Sequence, residues 1–118
     1  MAKILSVSYD EALLVTRHQI LERQTDHAVT SVRGFSEALN ACRSDEQFNL
    51  LIVGHSILHR QKEELIHAFR EKHPKAAVIA LKRQDETVVR DADLLIDPNP
   101  QELLKSVGNL LSGQGTGV

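Results

Sequence analysis

Residues 50–54 read Leu50-Leu51-Ile52-Val53-Gly54 and form the most apolar run of the chain. The run is short, its second half is β-branched, and a glycine stops it. A parallel strand covered by helices on both faces has this character, because neither face has room for polar side chains. The run therefore predicts the central strand of a parallel sheet.

Weaker runs of the same kind alternate with helical patterns on both sides of this strand. Short β-type runs fall at residues 3–7, 27–32, 76–81 and 93–96. Apolar residues at helical spacing lie between them, at about 11–23, 35–42 and 60–72, and again after residue 100. Ser8 and Glu11 stand at capping-box spacing before the first helix. Asn99 followed by Pro100 is typical of the start of the last one.

Strict alternation of strands and helices predicts an α/β fold, a flavodoxin-like doubly wound parallel sheet of five strands in the order 2-1-3-4-5. A site in such a sheet lies at the carboxyl ends of the strands, near the switch point between strands one and three. That crevice would be lined by Ser8, Tyr9, Asp10, Gly54, His55, Lys82 and Asp97. We expect one domain at residues 1–112 and a flexible Gly-rich tail at 113–118.

Composition narrows the class of protein. The chain has 118 residues, a net charge of −2 and 3% aromatic residues, so neither nucleic acid nor a membrane is an expected partner. Its single cysteine, Cys42, excludes an internal disulfide and fits a cytoplasmic location. No run approaches the ~18 apolar residues of a membrane span. Nucleotide, zinc and nucleophile-elbow motifs are absent, so we expect no cofactor, no metal and no enzyme activity.

Five segments in register resemble the receiver domain of bacterial response regulators, of the chemotaxis-regulator type, over residues 2–112. They are Lys3-Ile4-Leu5-Ser6-Val7, Gly34-Phe35-Ser36-Glu37-Ala38-Leu39, Phe48-Asn49-Leu50-Leu51-Ile52-Val53, Val78-Ile79-Ala80-Leu81 and Ala92-Asp93-Leu94-Leu95-Ile96-Asp97-Pro98. The third resembles the strand that ends in the family's phospho-acceptor, and the last resembles its Ala-Asp-(apolar)₃-Lys-Pro ending. The resemblance implies a signal-transduction domain of a two-component system.

Every side chain that the family's phosphotransfer would need is replaced. The resemblance implies an acceptor aspartate at Gly54, an acidic pair for Mg²⁺ at Ser8 and Tyr9, a hydroxyl residue at Lys82 and a lysine at Asp97. Pro98 keeps the family's residue, which by the resemblance follows a cis peptide bond. The sequence therefore predicts a degenerate pseudo-receiver without a phospho-acceptor.

Other polar residues have a functional and a structural interpretation. Lys82 and Asp97 either pair across the crevice or are solvated. His55 and His59, four residues apart, either bind a metal or belong to a loop. The remaining ones are interpreted as structural: Asp10 as a dipole-stabilising helix residue, His18 and Cys42 as packed, and His67, His73, Arg60-Gln61-Lys62 and Lys72-His73-Pro74-Lys75 as helix surface or solvated helix ends.

Only residues 82–92 separate the fourth and fifth strands. A parallel crossover usually needs a dozen or more residues, so the fourth helix of the family should be shortened or absent. This would expose an apolar face with Val88, Val89 and Leu95, which we expect to bind a partner. The alternative is that loop residues cover the gap.

Three functions stay open at this point. The first is a phosphorylation-independent receiver-like domain that acts by protein–protein interaction, with an unknown protein partner or as a homodimer. The second is a small-molecule sensor or small enzyme that uses the crevice around Tyr9, Gly54 and His55. The third is a piece of a larger regulator.

Overall fold

Strands and helices alternate along the chain, as the apolar runs predict. The computed structural model describes the backbone of residues 1–116 and the side chains of residues 1–112. Its elements are β1 Lys3–Ser8, α1 Glu11–Gln24, β2 Ala28–Arg33, α2 Phe35–Arg43, β3 Leu50–Val53, α3 His59–Lys72, β4 Ala77–Leu81, β5 Leu94–Ile96 and α4 Pro100–Thr116. The predicted elements are all present, with boundaries that differ by one or two residues.

The five strands form one parallel sheet in the order β2-β1-β3-β4-β5, which confirms the predicted topology. Strand β3 lies at the centre, and all four of its residues are fully buried. Its register aligns Val53 with Val7 of β1 and with Ala80 of β4. The carboxyl ends of the three central strands therefore meet at one edge of the sheet.

Helices cover both faces of this sheet and divide the core in two. One layer joins the sheet to α2 and α3, with Cys42 and Phe69 among its fully buried members. The other joins the sheet to α1 and α4, with Leu21 and Val107 fully buried. No helix of the described chain is long and apolar enough to cross a membrane.

The connection from β4 to β5 contains no helix, in agreement with the predicted loss of the family's fourth helix. Residues 82–93 form turns instead, and Val89 enters the core beside α3. The carboxylate of Asp93 accepts the backbone N–H of Val78 at 2.7 Å and fixes the far end of this connection. The expectation that Val89 is exposed is wrong, because the loop folds inward and all of β4 stays buried.

Capping side chains explain where α1 and α4 begin. Asp10, and not Ser8, is the N-cap of α1, and its carboxylate accepts the N–H of Leu13 at 3.1 Å. Asn99 caps α4 by accepting the N–H groups of Gln101 and Glu102. Helix α4 is described as far as Thr116, so it extends into the segment 113–118 that we expected to be a flexible tail. Residues 117–118 lie outside the described residues.

One of the histidines differs in burial from the expectations. His73 is buried, not a surface residue, because its ring stacks on Phe69 with centroids 4.5 Å apart and both its nitrogens reach backbone carbonyls. His18 is packed as expected, 2.7 Å from the hydroxyl of Ser31. Leu13 of α1 is 40% exposed.

Candidate functional site

At the carboxyl ends of the strands, the polar groups of Ser8 and Tyr9 already have hydrogen-bond partners. Ser8 ends β1, and its hydroxyl lies 3.0 Å from the hydroxyl of Ser56 and accepts the N–H of Asp10. The Tyr9 backbone N–H also donates to Ser56, and the Tyr9 phenol donates to Gln61 at 2.9 Å. These groups therefore connect β1 to the loop after β3 and present no carboxylate to the crevice.

Gly54 follows β3 at a point where the chain leaves no room for a side chain. Its N–H donates to the carbonyl of Val7 at 2.8 Å. A Cβ added at this position would lie 2.8 Å from that carbonyl oxygen and 3.1 Å from Nη2 of Arg17. Any larger residue must therefore shift the backbone of β1 or the guanidinium of Arg17.

Arg17 projects from α1 under the carboxyl edge of the sheet. Only 7% of the residue is exposed, and its Nη1 donates to the hydroxyl of Ser6 at 3.0 Å and to the carbonyl of Val7 at 3.3 Å. No carboxylate of residues 1–112 lies within ion-pair distance of it. Burial lowers the pKa of Arg17 to about 10, which leaves the group charged at neutral pH.

Arg17 is not among the site residues predicted from the sequence, although its spacing carried a signal. Leu14, Arg17 and Leu21 are the buried residues of α1 and follow one another at i, i+3 and i+7. Arginine on an apolar stripe either extends its head to solvent or stays inside with polar partners. Here the hydroxyl of Ser6, an inward-facing polar residue of β1, receives it.

Lys82 and Asp97 both lie at the crevice but make no ion pair with each other within residues 1–112. The backbone N–H of Lys82 donates to the carbonyl of Ile96 at 2.7 Å, which continues the β4–β5 pairing. Asp97 is exposed. The solvated interpretation of the two side chains is the one that the geometry favours.

A buried ion pair that the sequence did not predict closes the other side of the crevice. Lys62 of α3 is fully buried and contacts the carboxylate of Glu86, which belongs to the connection between β4 and β5. Lys62 Nζ also donates to the carbonyl of Leu81 at 2.8 Å. His59 Nδ1 lies 2.8 Å from the second oxygen of Glu86, and the N–H of Arg83 donates to the first. The interpretation of Lys62 as a solvated helix end is therefore wrong.

Burial and pairing act in opposite directions on these two groups. Burial lowers the pKa of Lys62, and its hydrogen bond to Glu86 and the charge of that carboxylate offset this only in part. Burial opposes the charged form of Glu86, but hydrogen bonds from Lys62, Arg83 and His59, with the Lys62 charge, hold its pKa below the usual value. The pair thus fixes the connection to α3 through a charged, hydrogen-bonded contact.

The crevice itself is a wide groove of about 1250 Å³, lined mostly by polar residues together with Val88 and Pro98. His55 and His59 both line it, and His59 is held by Glu86 and by Glu63 at 3.3 Å. Among the described residues, no group of three or more His, Cys, Asp or Glu side chains is arranged to hold a metal ion. The peptide bond before Pro98 is trans, as are all others described, so the cis bond that the resemblance implied is absent.

The three apolar residues assigned to an interaction face are in three different environments. Val88 is 68% exposed at the edge of the groove. Val89 is buried, and Leu95 of β5 is half-buried against the same core layer. Of the three, only Val88 offers a free apolar side chain.

Solved receiver-domain structures share this architecture over the whole chain. A response regulator receiver domain protein (CheY-like) from Methanospirillum hungatei JF-1 matches with a TM-score of 0.83 at 23% identity, covering 100% of this chain and 99% of that one. A two-component response regulator from Clostridium difficile matches with a TM-score of 0.82 at 14% identity, covering 98% and 100%. The protein TrrA from Thermotoga maritima, in complex with Mg²⁺-BeF, matches at 0.78 and 21% identity, covering 93% and 99%.

No protein-family model and no curated protein matches the sequence. The structural matches show that the chain has the fold of response regulator receiver domains. The reading of residues 2–112 as receiver-like is confirmed at the level of the fold.

Proposed function

We propose that the chain is a receiver-like signalling domain of the two-component type that works without phosphorylation and without catalysis, through contact with a protein partner or a second copy. The observation that carries the proposal is the pair Gly54 and Arg17. The phospho-acceptor position holds a glycine, and the space that a side chain would enter is closed by the Val7 carbonyl oxygen and by the buried guanidinium of Arg17.

The chemistry of an acyl phosphate supports this proposal. Phosphotransfer to a receiver needs a carboxylate nucleophile, and the resemblance adds two acids that hold Mg²⁺ through their oxygens. Here Ser8 and Tyr9 occupy those two places and hydrogen-bond to the loop after β3. The cation nearest to Gly54 is the fixed charge of Arg17, which cannot donate or accept a phosphoryl group.

Incubation with acetyl phosphate and Mg²⁺ tests the loss of phosphorylation. We expect no hydroxylamine-sensitive phosphate adduct by intact-mass spectrometry and no rise in melting temperature with millimolar Mg²⁺. The variant Gly54→Asp should stay unlabelled as well, because the acidic pair is still missing. A labelled wild-type chain, or a Mg²⁺-dependent rise of several degrees, would overturn the proposal.

Val88 offers a test of the interaction mode. It is the most exposed apolar residue of the connection that stands where the family has a helix. We expect Val88→Asp to weaken self-association in sedimentation velocity without changing stability. Val15→Asp is the matched control, since Val15 is 49% exposed on α1. If the wild-type chain stays monomeric at its highest soluble concentration, the homodimer hypothesis is wrong. If Val88→Asp and Val15→Asp associate equally, Val88 is not part of the interface.

The groove supports a second candidate function, a small-molecule sensor at the carboxyl ends of the strands. Its volume of about 1250 Å³ exceeds what an ordinary small ligand needs, and it is lined by polar side chains. Shifts of the His55 and His59 ring resonances on addition of a metabolite mixture would favour this function. Unchanged resonances would argue against a ligand site in the groove and would favour the function by protein contact.

A further inference from the structure

A second, smaller cavity lies on the α1–α4 side of the sheet and has a different character from the groove. Its volume is about 160 Å³, and it opens between α1 and the start of α4. Its walls include the apolar side chains of Ile20, Leu81 and Leu103, with His55 at the side shared with the groove. Arg17 is the only one of its lining residues that carries a full charge.

Arg17 lines this cavity, and two of its three guanidinium nitrogens make no hydrogen bond to the described residues. Nη1 is satisfied by Ser6 and Val7, whereas Nε and Nη2 make no hydrogen bond to any residue of 1–112. Nε and Nη2 form one edge of the guanidinium plane, the edge that accepts a carboxylate with two parallel hydrogen bonds. Arg17 is more than nine-tenths buried, and no Asp or Glu of residues 1–112 lines the cavity.

A buried charge without a counter-ion is unusual, because an ion loses its hydration on burial and needs a partner to offset that loss. The backbone N–H groups at the start of α4 are not free to bind an anion. Asn99 already accepts the N–H groups of Gln101 and Glu102, and Pro100 has no N–H group. No side-chain N or O atom of the described residues is both fully buried and without a hydrogen-bond partner, so the free nitrogens of Arg17 stay accessible, and water or a bound anion can reach them at the cavity.

We propose that this cavity binds a small monocarboxylic acid with an apolar body, whose carboxylate pairs with the Nε–Nη2 edge of Arg17. The volume sets the size of the body, since a cavity of about 150 Å³ holds a benzene ring. The apolar walls select against strongly hydrated anions such as phosphate, which would lose their water without replacement partners. The proposal is independent of the proposed mode of signalling and assigns the domain an input.

Calorimetric titration with benzoate, at low chloride, tests the site in the full chain. We expect saturable binding of benzoate and none of benzamide, which has the same shape without the charge. Inorganic phosphate should bind at least about tenfold more weakly than benzoate. Equal binding of benzoate and phosphate, or binding of benzamide as tight as benzoate, would overturn the assignment of the ligand class.

Two variants separate a ligand site from a structural arginine. Arg17→Lys keeps the charge but cannot make a bidentate pair of hydrogen bonds to a carboxylate. It should weaken benzoate binding by about tenfold or more. Thr16→Trp leaves Arg17 intact and places a bulky ring from an exposed position at the cavity wall, so it should abolish binding while the fold survives. Val15→Trp, one residue away and outside the cavity, is the matched control.

The proposal fails if wild type shows no benzoate-dependent heat and no shift of the Ser6 and Arg17 amide resonances. It fails equally if Thr16→Trp and Val15→Trp bind benzoate alike. A loss of binding confined to Arg17→Lys and Thr16→Trp supports it, and so does a loss in Thr16→Trp alone where Arg17→Lys does not fold.

Discussion

Replacing Glu86 by glutamine tests the ion pair that ties the β4–β5 connection to α3. Only 7% of the Glu86 side chain is exposed, and it faces Lys62, which is fully buried. Glutamine keeps the size and one acceptor oxygen but leaves the Lys62 charge without a counter-charge. Removing one partner of a buried pair costs about 3–5 kcal/mol of stability. We therefore expect Glu86→Gln to fold and to be much less stable than wild type.

Urea unfolding followed by far-ultraviolet circular dichroism measures this loss, since the chain contains no tryptophan for fluorescence. With a slope of about 2 kcal/mol per molar urea, the expected loss lowers the midpoint by about 2 M. The double variant Lys62→Met/Glu86→Gln should recover at least half of the loss, because no unpaired charge remains inside. Asp45→Asn is the control. Asp45 pairs with Lys72, which lies on α3 as Lys62 does, but Asp45 is fully exposed. No measurable change in the urea midpoint is therefore expected.

The loss of stability in Glu86→Gln should also depend on pH. The pKa of Glu86 is lower in the folded chain than in the unfolded one. Its charge therefore stabilises the fold above the ordinary glutamate pKa, and this contribution disappears as the pH falls through the lowered value. Wild type and Glu86→Gln should converge in stability in acid. A midpoint unchanged by Glu86→Gln at neutral pH, or a double variant less stable than the single one, would refute the assignment of a buried, coupled pair.

Two further predictions concern residues near the sheet. Gly54→Ala should lower the free energy of unfolding in urea by about 1–3 kcal/mol, because the new methyl group meets the Val7 carbonyl oxygen at 2.8 Å. Gly108→Ala is the control, since this glycine lies in an open part of α4, and it should not destabilise the fold. Equal stability of the two variants would contradict the crowding at Gly54. Burial raises the pKa of the Cys42 thiol to about 12, so the folded chain should not react with a thiol reagent at pH 8 and should react fully in urea; rapid labelling without urea would contradict its burial.

The fold was predictable because its signals are local. The β-branched run before Gly54, the helical spacing of Phe35, Ala38, Leu39 and Cys42, and the cap at Asn99 each act within a few residues. Strict alternation then leaves few topologies, of which the observed order is the common one.

The polar interior was not predictable in the same way, because its partners are distant in sequence. Lys62 and Glu86 are 24 residues apart, and the polar neighbours of Lys62 suggested a solvated helix end. The helical period did place Lys62 in phase with Leu65, Ile66 and Phe69, which are all buried. Phase alone does not decide between a charge that extends to water and one that finds a partner inside. That decision depends on how the β4–β5 connection folds back.

The connection between β4 and β5 is attached unevenly to the rest of the molecule. Its centre is held by the contacts of Glu86 and by the side chain of Val89, while few backbone hydrogen bonds secure the residues between them. Such a segment opens as one unit, at a lower free energy than the sheet beneath it. Amide hydrogens of residues 83–91 should therefore exchange with solvent together and long before those of β3. Each opening uncovers β4 and frees Lys62, so the exchange rate of this segment reports how often the domain presents a second surface to its surroundings.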